Sequence, residues 1–310
     1  MLDFGSGGKD PVEGLWEVED EQYYADTSAI SCSMLQCFMD GPRAFESRYI
    51  LKNEPKEEES PSFLLGRAFH EYILRPARFL QEFIIAPKFG RTKAELAKKA
   101  EWYEQNNEKS AITEKLLTQI KNMKIGLMRN KIFARYLQSK NAKVEVAYRE
   151  LYSPLDYEFT GQELKSIWRK CKYDLIVPGE AIIDIKTIAS LDDASVVEKS
   201  FLKYKYHCRD AWYMDIAKRF KIADKHLFCF VEKKWPHNTR IFYIDYELTD
   251  LGRRENDKAL IEFQSRMENN FWEDPWESKD PHRIEIPFWK RQPFFEFEET
   301  DERSDDEPDF

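Results

Sequence analysis

Asp174, Asp184 and Lys186 lie on either side of a turn signal, Pro178-Gly179. Two carboxylates a few ångströms apart raise one another's pKa, and a hard divalent cation with oxygen ligands relieves their repulsion. Such an ion polarises a phosphate and activates bound water, while a lysine orients that water and offsets developing charge. This set of residues therefore indicates Mg²⁺-dependent phosphodiester hydrolysis. The alternative is a weak Asp184–Lys186 ion pair on a sheet face.

A β-hairpin would bring these side chains together. Residues 168–177 alternate between apolar and polar, which predicts a strand, and residues 181–186 form a short apolar run typical of a buried strand. A three-residue loop at 178–180 places Asp174 opposite Asp184, whereas a two-residue loop places it opposite the preceding residue. We predict the three-residue loop. Residues two apart on a strand share a face, so the lysine joins the second aspartate.

The Asp174 and Asp184-x-Lys186 pattern resembles the motif of the PD-(D/E)xK nuclease superfamily, although Tyr173 stands where the motif has proline. Four further segments resemble its exonuclease VIII (RecE)-like branch, which is related to the RecB nuclease domain. They are Ile30–Leu35 with Gly41–Phe45, Gly66–His70, Trp102 with Ile112-Thr113, and Tyr204–Tyr213. The resemblance spans roughly residues 26–290. It implies an α/β (α+β) nuclease core, with a central mixed β-sheet flanked by helices and a helical insertion.

The resemblance also implies further metal ligands. His70, on the same helix face as Gly66, would help to hold the ion, and the alternative is a histidine hydrogen-bonded to backbone. The backbone carbonyl of Ile185 would be another ligand. Glu145 lies on an alternating strand where relatives place a third carboxylate. Glu150 is its nearest rival, and a solvent-facing strand carboxylate is the alternative for Glu145.

The segment Lys203–Arg219 is predicted to be a basic helix with aromatic residues. Lys205, Arg209 and Tyr213 are spaced by four and would share a face. Related nucleases carry a glutamine and a tyrosine here, close to the catalytic lysine and the DNA. Arg209 replaces that glutamine, and an arginine also contacts phosphate. With Lys172, these three residues are the predicted DNA contacts.

The net charge of −9 indicates that DNA contact depends on a local basic patch and on metal ions. Residues 298–310 hold eight acids and one arginine, a net charge of −7, so the other 297 residues carry −2. Candidates for the patch are Arg169, Lys170, Lys172, Lys205, Arg209 and Lys218-Arg219.

We expect three regions: a flexible arm over 1–25, a nuclease domain over 26–290 and an acidic tail over 291–310. The tail resembles the phenylalanine-terminated tip of bacterial single-strand-binding proteins, and a disordered solubilising tail is the alternative. No apolar run reaches membrane-spanning length, and no secretory signal precedes the domain. The five cysteines lack C-x-x-C spacing, which favours free thiols in the cytoplasm over an iron–sulfur cluster.

These patterns predict an exodeoxyribonuclease that uses Mg²⁺, with Mn²⁺ as a substitute. By resemblance, it resects linear double-stranded DNA 5′ to 3′, leaves 5′-phosphate mononucleotides and serves phage-type recombination. Its partners would be a single-strand annealing or recombination protein, bound through the tail, and further copies of the chain in a ring. Two alternatives remain. One is a RecB-like or Cas4-like nuclease with single-strand or endonuclease activity, and the other is a non-catalytic DNA- or protein-binding module.

Overall fold

A computed structural model describes residues 12–55, 59–155 and 165–274. The chain divides into one compact unit, Met1–Trp272, and a second unit, Glu273–Phe310. Only the first two residues of the second unit are described, so the predicted acidic tail lies outside the described residues. No helix in the described ranges is both long and apolar enough to cross a membrane.

The described residues form nine strands. They are β1 (Gly14–Trp16), β2 (Ile30–Ser31), β3 (Phe83–Ile85), β4 (Ser110–Ile112), β5 (Lys143–Tyr152), β6 (Ile167–Val177), β7 (Ala181–Ile188), β8 (His226–Glu232) and β9 (Thr239–Phe242). The main sheet has the order β1-β5-β6-β7-β8-β9, and β2 pairs in parallel with β6. The pairing of β7 with β8 is also parallel, whereas the other pairings in the order are antiparallel, so the sheet is mixed as predicted.

Helices cover both faces of this sheet. They are α1 (Asp20–Ala25), α2 (Cys32–Asp40), α3 (Pro42–Phe45), α4 (Pro61–Leu74), α5 (Pro76–Glu82), α6 (Lys93–Gln105), α7 (Glu114–Arg129), α8 (Lys131–Leu137), α9 (Ala194–Lys203), α10 (Tyr206–Arg219) and α11 (Tyr246–Asn269), with a π-helical turn at Glu46–Ile50 after α3. Phe69 of α4 and Ile120 of α7 pack in one core cluster, and Trp212 of α10 and Phe263 of α11 pack in another. Strand β7 contributes to both clusters, and β8 contributes to the first cluster and, through Phe228 and Phe230, to a third one around Phe201. Both strands are thus buried on their two faces, which explains their nearly continuous apolar sequences.

The β6–β7 hairpin has the predicted register. Val177 pairs with Ala181 and Leu175 pairs with Ile183, so residues 178–180 form a three-residue loop. Gly179 adopts φ +77° in this loop, a left-handed conformation that glycine adopts without a steric penalty. Continued by one pair, this register places Asp174 opposite Asp184. The predicted loop is therefore confirmed.

The segment from α5 to α8 is the predicted helical insertion between α4 and β5. Helix α6 has no buried residue, and β3 and β4 form a separate two-stranded sheet. Helix α7 begins after Thr113, whose Oγ1 accepts a hydrogen bond from the backbone N–H of Leu116 over 3.1 Å. Its buried face includes Ile120 and Leu127. The amphipathic period of the sequence therefore indicates which face of this helix packs against the sheet.

The expected flexible arm is wrong for residues 14–25. Strand β1 pairs with β5, and α1 buries Tyr23. Lys170 of β6 donates hydrogen bonds to the backbone carbonyls of Tyr23, at 2.6 Å, and Asp26, at 2.5 Å. This segment lacks a strong hydrophobic period, so its sequence did not predict an ordered structure. Its tertiary contacts, including those with buried Lys170, order it.

The last strand and the last helix are separated by a short connection. Strand β9 ends at Phe242. Helix α11 starts at Tyr246, where Asp245 caps it by accepting a hydrogen bond from Leu248 N–H over 2.8 Å. All five cysteines are described and all are free thiols.

Candidate active site

Asp174, Asp184 and Lys186 converge where β6 and β7 line a deep cleft. Asp174 Oδ2 accepts a hydrogen bond from the backbone N–H of Ile185 over 2.8 Å. Asp184 is 1 % exposed, and its Oδ2 lies 2.6 Å from Lys186 Nζ. The hairpin therefore supplies one buried carboxylate, one partly buried carboxylate and an adjacent ammonium from a short stretch of chain.

His70 reaches the same point from α4. Its Nε2 lies 2.7 Å from the backbone carbonyl oxygen of Ile185, and its Nδ1 lies 3.6 Å from Asp174 Oδ2. Helix α4 begins as the sequence predicts, with Ser60 as the N-cap and Pro61 at the first helical position. The helix start thus places His70 between a carboxylate and a carbonyl, the two oxygen donors proposed for the cation.

Glu145 on β5 lies opposite Asp174 on β6. The residues on either side of Glu145 pair with β6, whereas Glu145 itself interrupts the ladder. Its φ of +53° is unusual for a non-glycine residue within a strand and is costly in free energy. Ligand atoms of His70, Glu145 and Asp174 lie within 4.8 Å of one another. The rival carboxylate, Glu150, is buried against Arg169 and does not line the cleft.

The two aspartates differ in their electrostatic surroundings. Burial raises the pKa of Asp174, and the proximity of His70 only partly opposes this effect. Burial acts in the same direction on Asp184, but the charges of Lys186 and Arg209 outweigh it and lower the pKa to about 2. A buried carboxylate with a raised pKa gains from a bound cation, which favours its ionised form. Carboxylates, a carbonyl and an imidazole fit a hard divalent metal.

The surrounding cleft has a volume of about 1030 Å³. Three exposed aromatic side chains line it, namely Tyr24 of α1, Phe63 of α4 and Tyr204 between α9 and α10. Arg67 and Lys233 add positive charge to the lining. The cleft is therefore open enough for a polymer and carries both stacking surfaces and cations near the carboxylates.

Two of the predicted DNA contacts lie in the cleft. Arg209 places NH1 3.8 Å from Asp184 Oδ2, and Tyr213 donates a hydrogen bond from its hydroxyl to the backbone carbonyl of Lys172 over 3.2 Å. Arg209 thus lies beside one catalytic candidate.

The other two predicted DNA contacts are not supported. The Lys172 side chain is 8 % exposed, and its Nζ lies 2.7 Å from Asp20 and 2.9 Å from Glu145. It therefore neutralises acids inside the cleft wall. Lys205 precedes α10 in a left-handed conformation, pairs with Asp40 at 3.5 Å and does not line the cleft. The spacing of four fails for Lys205 because α10 starts only at Tyr206, three residues after the predicted start, so this lysine lies outside the helix.

Most of the wider basic patch is also committed to other contacts. Arg169 is buried against Glu150, and Lys170 is buried against backbone carbonyls. Arg219 pairs with Glu13 at 2.5 Å. Strand alternation alone did not distinguish Arg169 and Lys170 from surface cations, because both are flanked by ordinary strand residues.

Sequence reasoning missed an ion-pair network in the cleft wall. Asp20 of α1 contacts Arg75 at 2.6 Å, Arg78 at 3.3 Å and Lys172 at 2.7 Å. Burial alone would raise the pKa of Asp20, but hydrogen bonds from Arg75 and Lys172 lower it to about 2. The spacing of Glu71 and Arg75 by four was a usable signal, whereas Asp20 could not be placed before the tertiary fold was known.

A mixed sheet with this carboxylate–lysine hairpin defines a protein of the PD-(D/E)xK class. The model of one family, the PDDEXK-like domain of unknown function (DUF3799), matches residues 31–280, and the chain belongs to that family. The predicted superfamily and fold class are thereby confirmed.

A solved structure shares this fold at low sequence identity. It is a protein from Eubacterium rectale described as a "putative exonuclease", and it is similar with a TM-score of 0.57 and 16 % identity. The alignment covers 88 % of this chain and 96 % of that one. Comparison with curated protein sequences finds no significant match.

Proposed function

We propose that this protein is a metal-dependent deoxyribonuclease that acts as an exonuclease on linear DNA. The observation that carries the proposal is the convergence of Asp174, Asp184 and Lys186 with His70 on the Ile185 carbonyl. Membership of a PDDEXK-like family supports nuclease chemistry. A binding module without chemistry would gain nothing from two poorly hydrated carboxylates held close together, because their repulsion costs stability unless a cation is bound.

The roles of the residues follow from their positions. Asp174, Asp184 and the Ile185 carbonyl would hold a Mg²⁺ ion, for which Mn²⁺ would substitute, with His70 and Glu145 completing the set. Such an ion, when bound, supplies Lewis acidity toward the phosphate and lowers the pKa of water. Lys186 would donate hydrogen bonds to the attacking water and to a phosphate oxygen, offsetting the charge that develops there.

The direction of cleavage and the pathway are taken from the resemblance to RecE-like nucleases. In-line attack would expel the 3′-oxygen and leave a 5′-phosphate mononucleotide, with resection of duplex DNA running 5′ to 3′. Arg209 and Tyr213 would contact the DNA strand. We further propose a cytoplasmic role in phage-type recombination, with a ring of copies for processivity and an annealing or recombination protein bound through residues 291–310.

A second candidate is a nuclease that prefers single strands, as RecB-like enzymes do. Exposed Tyr24, Phe63 and Tyr204 line the cleft, and base stacking on aromatic side chains is tolerant of sequence. Each stacked base contributes about 1–3 kcal/mol to single-strand binding. This observation favours a single DNA strand with separated bases in the cleft, irrespective of the direction of cleavage.

The decisive experiment is digestion of linear duplex DNA labelled at the 5′ or the 3′ end. Early release of 5′ label as mononucleotide, abolished by EDTA and by Asp184→Ala, is the expected result. Asp192→Ala is the matched control, since Asp192 is an exposed aspartate outside the cleft lining. Matched single-stranded and circular substrates distinguish the second candidate. Absence of cleavage on every substrate, with folded protein and added Mg²⁺ or Mn²⁺, would exclude both.

A further inference from the structure

A second group of metal-binding side chains lies at the junction of α10 and α11. His207 and Cys208 are in the first turn of α10, and Glu255 projects from α11. None of the three lines the cleft that contains Asp174 and Asp184. The cluster therefore shares no residue with the candidate nuclease site. It also differs in including a thiol beside its imidazole and carboxylate.

The donor atoms have the spacing of ligands around one small ion. His207 Nε2 lies 3.2 Å from Glu255 Oε2, and Cys208 Sγ lies 3.3 Å from the same oxygen. All three ligand atoms fall within 4.8 Å of one another. Zinc bonds of about 2.0–2.3 Å in a tetrahedron separate ligand atoms by roughly 3.5 Å. Small side-chain adjustments would therefore suffice to admit the ion.

The two helices are built closely around this cluster. A Cβ on Gly252 would lie 2.3 Å from the backbone oxygen of His207, so only glycine lets α11 approach so near. One turn later, Asn256 Nδ2 donates a hydrogen bond to the Cys208 carbonyl over 2.8 Å. These contacts on one face of α11 fix the backbone of His207 and Cys208 and bring Glu255 over both side chains.

Burial gives the cluster one closed side and one open side. His207 is 3 % exposed and Cys208 is 2 % exposed, whereas the Glu255 side chain is 38 % exposed. Within the described chain, buried His207 Nδ1 has no hydrogen-bond partner, so the polar contacts of the ring are made at Nε2, beside Glu255. An ion at Nε2 would thus have protein ligands on three sides and solvent on the fourth.

We propose that His207, Cys208 and Glu255 bind a zinc ion, with water as the fourth ligand. Thiolate and imidazole ligands select a borderline cation such as Zn²⁺ and disfavour Mg²⁺, whose preferred ligands are oxygens. Binding replaces the S–H bond of Cys208 with a sulfur–zinc bond and releases the thiol proton to solvent. The next residue, Arg209, contacts Asp184, so the ion would stiffen the helix turn that carries a cleft cation.

Cobalt substitution tests this assignment directly, because Co²⁺ bound to a thiolate has a near-ultraviolet charge-transfer band. Metal-stripped wild-type protein should develop that band with one equivalent of Co²⁺, and Zn²⁺ should displace it. Cys208→Ser should abolish the band, and Glu255→Gln should weaken Co²⁺ binding by at least about tenfold. Glu255 is half-exposed, so this variant keeps the fold, which circular dichroism verifies.

Two control variants make the result specific. Cys37→Ser removes a free thiol in α2 and should leave the band intact. Asp184→Ala removes a proposed ligand of the nuclease site, where none of the proposed ligands is a thiol, and should also leave it intact. Absence of the band in wild-type protein, or its persistence in Cys208→Ser, would overturn the proposal, and the hydrogen bonds to Glu255 would then be the sole function of the cluster.

Discussion

Lys170 and Lys172 lie two residues apart on β6, yet the stability of the fold should depend on their protonation in opposite ways. Lys170 is 1 % exposed and donates to the carbonyls of Tyr23 and Asp26. Burial lowers its pKa from 10.5 to about 8. Lys172 is also desolvated, but the charge of Glu145 and the hydrogen bond to Asp20 raise its pKa above the ordinary value.

The sign for Lys170 follows from proton counting. Below pH 8 the lysine is charged in both states, and between pH 8 and 10.5 it is neutral in the fold but still charged in the unfolded chain. Unfolding then takes up a proton, so the free energy of unfolding rises with pH in this window. The difference between 10.5 and about 8 corresponds to about 3 kcal/mol, since one pKa unit is equivalent to about 1.4 kcal/mol.

Urea unfolding of the metal-free protein at a series of pH values measures this effect. The free energy of unfolding of wild-type protein minus that of Lys170→Met should increase by about 3 kcal/mol between pH 8 and 10.5. Taking the difference cancels the titration of the other groups. A difference that stays flat over this range would refute the view that the Lys170 ammonium is desolvated.

Lys172→Met is the matched control on the same strand. A raised pKa in the fold means that the stabilisation from Lys172 is fully present below the unfolded value of 10.5 and is lost only above it. The wild-type minus Lys172→Met difference should therefore stay constant between pH 8 and 10. A rise like that of Lys170 would show that its ion pairs with Asp20 and Glu145 do not form in solution.

The remaining predictions concern the cleft and two glycines. Lys186→Met should lower kcat for DNA cleavage by about 10²–10³, the usual effect of removing one donor to a developing negative charge, with far less change in KM. Arg209→Gln removes a cation 3.8 Å from Asp184 and should raise the pKa of that carboxyl, so the acidic limb of the pH–rate profile should move to higher pH. Gly66→Ala should be tolerated and should stabilise α4 by up to about 1 kcal/mol, because its Cβ would lie 3.9 Å from Thr187 Oγ1 and alanine favours helices. Gly252→Ala should instead destabilise the protein by about 1–3 kcal/mol in thermal unfolding, since its Cβ would overlap the His207 carbonyl.

The β6–β7 hairpin could be predicted because the sequence signals that define it are local. Alternation over 168–177, an apolar run over 181–186 and a three-residue turn between them determine which side chains are opposite one another. The N-cap serine and the following proline likewise set the start of α4 and hence the position of His70. Residues assigned on such signals, Asp174 and Asp184 included, lie where the sequence places them.

The predicted basic patch failed because it depends on contacts between distant segments. Lys172 and Arg169 follow the same strand pattern as solvent-facing cations, but Asp20 and Glu150 meet them in the fold. Space for a Cβ remains at Gly66, whereas Gly252 carries a steric constraint that no local pattern reveals. Local periodicity identifies helices and strands. Which buried charges form ion pairs is decided only when those helices and strands pack together.

The ion pairs of Asp20 have a consequence for how salt would affect the proposed binding of DNA. The affinity of a protein for DNA falls with salt in proportion to the number of phosphates that its cations neutralise, because each contact releases condensed counterions. Arg75, Arg78 and Lys172 line the cleft but already face the carboxylate of Asp20. A strand in the cleft would therefore displace few counterions, and its binding would depend on metal ions and stacking far more than on ionic strength.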